Sequence, residues 1–350
     1  MTFFWMLILL LALLVYVVID GYDLGIGALT LLQRNPVRNR ARVELVGNVW
    51  DGNESWIILL AIGLMAGFPE AYATALPGLY LPICLMLFGL IFRGFALEMT
   101  LQRRGFNRIW GRLFGVGSLV AAFAQGLLFG GLLCGLPVID HRFAGGTWDF
   151  LGHGYALLTG CATVLLYAWA GATQLQAKLG WDASGMPRRV LRRLTVAAAV
   201  ASLLCAVLLP VATSARLSLA GVDRWLPFGY GVLLAAGGFW TVYRRAGRGP
   251  RQVGFFAAAA AQTGGLVALV SLYYPQLVPP SVTVYSAAAS RSTLVFLTAM
   301  IGLIGPGTVA YGIYSHWVFR SRSATEAVPR TGEPAAPTQT PSALELKGSY

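Results

Sequence analysis

The stretch Asn48-Val49-Trp50-Asp51-Gly52-Asn53-Glu54-Ser55-Trp56 opens an apolar run of helix length with two carboxylates, an amide and two indoles. A charged side chain near a bilayer centre costs about 2.5–3.5 kcal/mol on insertion scales, so such residues are usually functional and partnered. Composition decides which solvent this run meets. The chain of 350 residues is 57% hydrophobic and only 11% charged, with a mean hydropathy of +0.66. Soluble domains carry roughly 25% charged residues. The protein is therefore read as all-α and polytopic in a membrane, with the quoted stretch at the start of one span.

A hydrocarbon core of ~30 Å takes about 20 apolar residues per helix. Nine such runs are expected, near residues 4–31, 50–68, 76–99, 113–138, 150–177, 190–213, 225–243, 253–274 and 293–319. Met1-Thr2-Phe3 carries neither a basic n-region nor a cleavage pattern, so the first run is expected to stay as a membrane helix. Pro210 and Pro306 fall inside runs and predict kinks, which neighbouring groups can tolerate.

Basic residues alternate along the chain. Arg34, Arg38, Arg40 and Arg42 follow the first run, Arg103, Arg104, Arg108 and Arg112 the third, and Lys178, Arg188, Arg189, Arg192 and Arg193 the fifth. Arg244, Arg245, Arg248 and Arg251 follow the seventh, and Arg320, Arg322, Arg330 and Lys347 lie after the last. The alternate loops hold only Arg142, Arg216, Arg224 and Arg291. Lys and Arg mark cytoplasmic loops, which predicts a multi-pass membrane protein with its N-terminus outside and its C-terminus cytoplasmic. The formal charge of +12 is then a topology signal and gives no reason to invoke nucleic acid. Residues 1–320 form the membrane domain. The tail 321–350, rich in Pro, Thr, Ala and Ser, is expected to be disordered and cytoplasmic.

Inside the runs lie Asp20, Asp23, Asp51, Glu54, Glu98 and one base, Arg93. Counting at ~1.5 Å per residue from the nearest cytoplasmic arginine puts Asp23 about 16 Å deep, Arg93 about 15 Å and Asp51 at most about 13 Å. Tyr16, Asp20 and Asp23 share one helical face, as do Asp51 and Glu54. Arg93 is therefore expected to neutralise a carboxylate on the first or second span, while Glu98 sits close enough to the cytoplasmic arginines to snorkel. Two readings of this cluster stand side by side. One is a polar knot that registers helices. The other is a hydrated proton path, the usual work of intramembrane carboxylate chains.

Redox centres are not legible. Cys84, Cys134, Cys161 and Cys205 lie in apolar runs without a C-x-x-C pattern, and His141, His153 and His316 do not fall at facing mid-helix positions. Haem ligation by a histidine pair is not expected of such a chain. Gly25-Ile26-Gly27 lacks the rest of a dinucleotide fingerprint, and helix packing accounts for it.

Two signatures resemble those of subunit II of cytochrome bd-type quinol oxidases. They are Val18-Ile19-Asp20-Gly21-Tyr22-Asp23-Leu24-Gly25-Ile26-Gly27 and Trp50-Asp51-Gly52-Asn53-Glu54-Ser55-Trp56. Phe68-Pro69-Glu70-Ala71-Tyr72-Ala73, Phe92-Arg93-Gly94-Phe95-Ala96-Leu97-Glu98 and Tyr311 to Arg320 continue the likeness in order.

The resemblance implies about nine transmembrane helices, built as two four-helix bundles plus one additional helix and paired with a subunit I of similar fold. It implies that subunit I carries two b-type haems, haem d and the quinol site, and that this chain binds no haem. A quinone or lipid on this chain and a small single-helix accessory subunit are left open. Quinol and oxygen are the substrates of the whole complex, an electrogenic quinol oxidase that reduces oxygen to water. By position, Asp51, Glu54, Asp20, Asp23 and Glu98 fall to a proton path, and Trp56 and Arg93 to an oxygen route and the haem-facing interface. Tyr285-Ser286 stands where the family has a Trp-acid pair, so a role for that acid is not carried over. The competing reading is a stand-alone proton-coupled transporter, in which a matching polar site is expected in both halves of the chain.

Overall fold

The computed structural model describes residues 1–102, 107–139, 142–213, 222–246 and 248–318. The tail 321–350 and His141 lie outside the described residues, as do the side chains of His153 and His316. Each apolar run holds one long helix: α1 (Thr2–Thr30), α3 (Trp50–Gly67), α5 (Tyr80–Leu101), α6 (Arg108–Cys134), α7 (Tyr155–Ser184), α8 (Arg188–Ala212), α9 (Val222–Arg245), α10 (Val253–Tyr273) and α11 (Arg291–Val318). Two shorter helices, α2 (Pro36–Gly47) and α4 (Pro69–Gly78), come between them.

Among the described residues seven helices are long and apolar enough to cross a bilayer, which makes this a multi-pass membrane protein. Helix α3 falls outside that set because Asp51, Asn53, Glu54 and Ser55 dilute its first turns. The apolar stretch of α11 within the described residues, Arg291–Gly307, is shorter than a full span.

Contacts sort the helices into two groups. Helix α1 packs on α3 and α6, and α6 on α5. Helices α7, α8, α9 and α10 pack in succession, with α10 returning to α7. The groups meet where α1 and α6 both lie against α7, while α11 rests on α3. The Trp5 indole donates to the Thr298 hydroxyl at 3.0 Å and the Leu294 carbonyl at 3.2 Å, which ties α11 to α1. Two small hairpins, β1 (Val138–Ile139) with β2 (Arg142–Phe143) and β3 (Gln276–Val278) with β4 (Val282–Thr283), close that end.

Helix α2 explains the other end. Asn35 caps it by accepting from the amides of Val37 and Arg38, and Pro36 sits at its first position, where a missing N–H costs nothing. Val43 and Val46 are wholly buried, and α2 packs on the long helices α1, α5, α6 and α7. Arg42 is buried too, and its guanidinium donates to the carbonyls of Leu29 and Ser184, both at 2.8 Å. Burial and the neighbouring Arg38 bring this group down to about 10, so it stays cationic at physiological pH. A fixed cation thus closes the last turns of α1 and α7, where helix dipoles favour positive charge. Arg42→Met is expected to cost roughly 1–3 kcal/mol, because it strips donors from buried carbonyls. A lowered melting temperature of the detergent-solubilised protein checks this, and an unchanged one counts against it.

Helix α7 extends beyond the expected run only by breaking at Gly180 (φ 76°, ψ −174°), a conformation that L side chains avoid. Helices α8 and α11 run through Pro210 and Pro306.

Candidate functional site

Two close helix crossings and one ring contact place the polar residues. A Cβ on Gly25 would overlap the Tyr167 carbonyl oxygen, and one on Gly171 would come 2.5 Å from the Ile26 nitrogen. Bare glycines therefore let the α1 and α7 backbones touch. A Cβ on Gly89 would lie 2.7 Å from the Ala121 nitrogen, and one on Gly117 would lie 2.7 Å from the Arg93 nitrogen. That crossing presses α6 onto α5 beside Arg93. Gly94 gives the Trp50 ring its seat, its Cβ position lying 3.1 Å from the indole.

At the centre Arg93 Nη2 donates to Asp20 Oδ1 at 2.8 Å, and both side chains are fully buried. One turn away Asn53 Nδ2 donates to Asp23 Oδ2 at 2.7 Å, with Asp23 wholly buried. The cluster thus joins α1, α3 and α5, two acids against one base. Asp20 Oδ2, Asp23 Oδ1, Asn53 Oδ1 and Arg93 Nε and Nη1 keep unused hydrogen-bonding capacity among the described residues. In a buried setting such atoms normally take water or a partner's group, and proton carriage needs that same capacity.

The remaining named residues are placed around this centre. Asp51 stands in the first turn of α3 and is exposed on its flank. Glu54, half-buried one turn further on, lies within electrostatic reach of Arg93 and Asp20. Trp56 is half-buried. Glu98 is half-buried near the end of α5, five residues beyond Arg93. Arg93 faces inward to Asp20, so its charged end lies inside the chain and not on an outer face. The residue of the Trp50–Trp56 stretch that meets the acidic face of α1 is Asn53. Helical phase explains this: Asn53 is two positions from Asp51, on nearly the opposite side of α3.

A second polar group escaped the sequence reading. Gln125 of α6 donates through Nε2 to the Tyr16 hydroxyl at 2.6 Å and accepts from the Tyr167 hydroxyl at 3.0 Å. All three side chains are buried. A lone amide in the apolar run of α6 was the available signal, because a buried amide has to find partners. Among the described residues no three His, Cys, Asp or Glu side chains gather as a metal site.

Comparison with known proteins bears on the family and the fold. The family model described as cytochrome bd terminal oxidase subunit II matches residues 1–319. Cytochrome bd-I ubiquinol oxidase subunit 2 of Escherichia coli (strain K12) is 32% identical over 185 residues, which cover 51% of this chain and 49% of that protein. The chain thus spans about half the length of that relative. Cytochrome bd ubiquinol oxidase subunit 2 of Bacillus subtilis (strain 168) is 26% identical over 330 residues, 91% of this chain and 95% of that protein. Among solved structures, a chain of the bd oxidase from Geobacillus thermodenitrificans superposes with a TM-score of 0.71 at 16% identity, covering 91% of this chain and 97% of that one. At that identity the likeness is one of fold.

Proposed function

The chain belongs to the cytochrome bd terminal oxidase subunit II family, and from that membership we propose that it serves as the haem-poor second subunit of a quinol:oxygen oxidoreductase. In this reading subunit I, a chain of similar fold, holds two b-type haems and haem d and oxidises quinol. The present chain crosses the membrane nine times with its N-terminus outside, stabilises subunit I, and supplies protons from the cytoplasmic side. The transporter reading is not favoured: it has no support from the family assignment, and the acid–arginine cluster is confined to α1, α3 and α5.

The observation that carries the proton path is the pairing of an exposed acid with a buried cluster of unused capacity. Asp51 lies open on the flank of α3, where the amide dipoles of the first turn favour negative charge. An exposed carboxylate on a membrane helix requires water or a partner beside it. Glu54 stands one turn inward, and the Asp20, Asp23 and Arg93 group lies behind it. Trp56, on the same helix, is assigned to an oxygen route toward the partner. Arg93 acts from inside the chain by fixing Asp20, and Glu98 lies toward the cytoplasmic mouth.

Asp51→Asn is expected to slow quinol-driven oxygen consumption by about 100-fold, the low end of what positioned proton transfer contributes. The complex would be purified from its native membrane, where haem absorbance and a second large chain should accompany this one. An intact haem spectrum with slowed turnover supports the path, whereas wild-type turnover removes Asp51 from it. A colourless single-chain preparation would sink the oxidase reading altogether. Trp56→Ala is expected to change the oxygen on-rate after flash photolysis, and unchanged kinetics would free Trp56 of that role.

A further inference from the structure

The Tyr16, Gln125 and Tyr167 group has no place in the proton path as drawn, although it abuts Asp20. Tyr16 and Asp20 are four residues apart on α1 and share one face, and the two side chains lie within electrostatic reach. Asp20 uses Oδ1 for Arg93, while its Oδ2 is buried without a partner among the described residues. Tyr16 in turn accepts from Gln125 through its oxygen. Its own hydroxyl proton is therefore still to be given away.

The orientation of Gln125 decides where that proton goes. With Nε2 toward Tyr16 and Oε1 toward Tyr167, the amide gives to one phenol and takes from the other. Turned over, it would take the Tyr16 proton, leave Asp20 Oδ2 without a donor and strand the hydroxyl proton of Tyr167. Buried polar groups settle in the arrangement that satisfies most of them. Tyr167 can reach this place only because residue 21 is glycine: a Cβ there would come 2.7 Å from the Tyr167 ring.

We propose that Tyr16, aimed by the Gln125–Tyr167 clamp, is a positioning residue that donates its hydroxyl to Asp20 Oδ2. Both Asp20 oxygens are then occupied, one by Arg93 and one by Tyr16, and the carboxylate is held in a single orientation. Among the described residues, the ionisable and charged groups within electrostatic reach of Asp20 are Tyr16, Tyr22 and Asp23 on α1, Glu54 on α3, Arg93 on α5 and Tyr167 on α7. Of these only Arg93 and Tyr16 are assigned a bond to it. Asp20 becomes the fixed anion of the cluster, and proton exchange is left to Asp23, Glu54 and Asp51. This division of labour rests on the proton-path reading; the hydrogen bond itself does not.

Infrared spectroscopy of the purified complex separates the two. A hydrogen bond shifts carboxylate stretching bands, and the Asp20 bands are those lost in Asp20→Asn. If that variant does not assemble, the double variant Asp20→Asn with Arg93→Gln, which removes both charges, identifies them instead. Tyr16→Phe keeps the ring and removes only the hydroxyl, so it is expected to assemble. Its Asp20 bands are expected to shift, and Gln125→Leu, which releases the clamp, is expected to shift them the same way. Unshifted bands in Tyr16→Phe overturn the proposal, even if its melting temperature falls. Turnover then reports on the path alone: severalfold slower oxygen consumption at unchanged KM supports it. Shifted bands with wild-type turnover keep the Tyr16–Asp20 bond and overturn the role of Asp20 as the path's fixed anion, while the proton-path reading itself stands or falls with Asp51→Asn.

Discussion

Arg93→Leu is expected to destabilise the protein by about 3–5 kcal/mol, the usual consequence of removing one partner of a buried ion pair. The size follows from the geometry. Arg93 and Asp20 are both fully buried and 2.8 Å apart, so deleting the guanidinium leaves a carboxylate in low dielectric with no counter-charge. Asp23, one turn along α1, is held through a neutral amide and cannot relieve it. Adding Asp20→Asn to Arg93→Leu removes the stranded charge and is expected to recover part of the loss. A double-mutant cycle on melting temperature and assembled yield would isolate the pair's coupling. Arg93→Leu as stable as the wild type would mean that the pair does not hold the bundle together.

This pair shows what the sequence could and could not disclose. Helix-length apolar runs are strong signals, and each of the nine holds a helix. Their ends moved little, except where Gly180 lets α7 break and continue. Helices α2 and α4 were missed because they are short and carry no apolar run. The cap signature of α2, Asn35 before Pro36, was nevertheless visible. Arg42 was read with its neighbours as part of a basic cytoplasmic loop. Alternation of basic loops reports only which side a residue lies on, whereas burial of Arg42 depends on how α2 folds back over α1 and α7. Helical phase placed Asp20 and Asp23 on one face but could not say which neighbour that face meets. Asn53 drew no separate notice as a neutral residue among acids, yet it is the contact between α3 and Asp23. Gln125 makes the same point: its partners lie 109 and 42 residues away, a distance that no local pattern spans.

Gly25→Val is expected to be more damaging than its small change in volume implies. Overpacking a core typically costs about 1–3 kcal/mol when side chains can move aside, but here the obstacle is backbone. Even the first added carbon would overlap the Tyr167 carbonyl oxygen, and Gly171 from the other helix is also hemmed in by backbone, its Cβ position 2.5 Å from the Ile26 nitrogen. Helices α1 and α7 must separate, and α1 carries Tyr16, Asp20 and Asp23 while α7 carries Tyr167. The displacement therefore reaches the clamp as well as the ion pair, so loss of more than about 3 kcal/mol and of assembled yield is the expected result. Gly52 supplies the control. Nothing lies within 4 Å of its Cβ position, and alanine in a helix interior is favoured over glycine by roughly 0.5–1 kcal/mol. Gly52→Ala should be neutral or slightly stabilising, although it sits beside Asp51. If Gly25→Ala, the mildest form of the test, melts with Gly52→Ala, the α1–α7 backbone contact does not position the cluster. If it melts far below, the glycines of the first-helix signature are there to let two helices touch beside a buried acid.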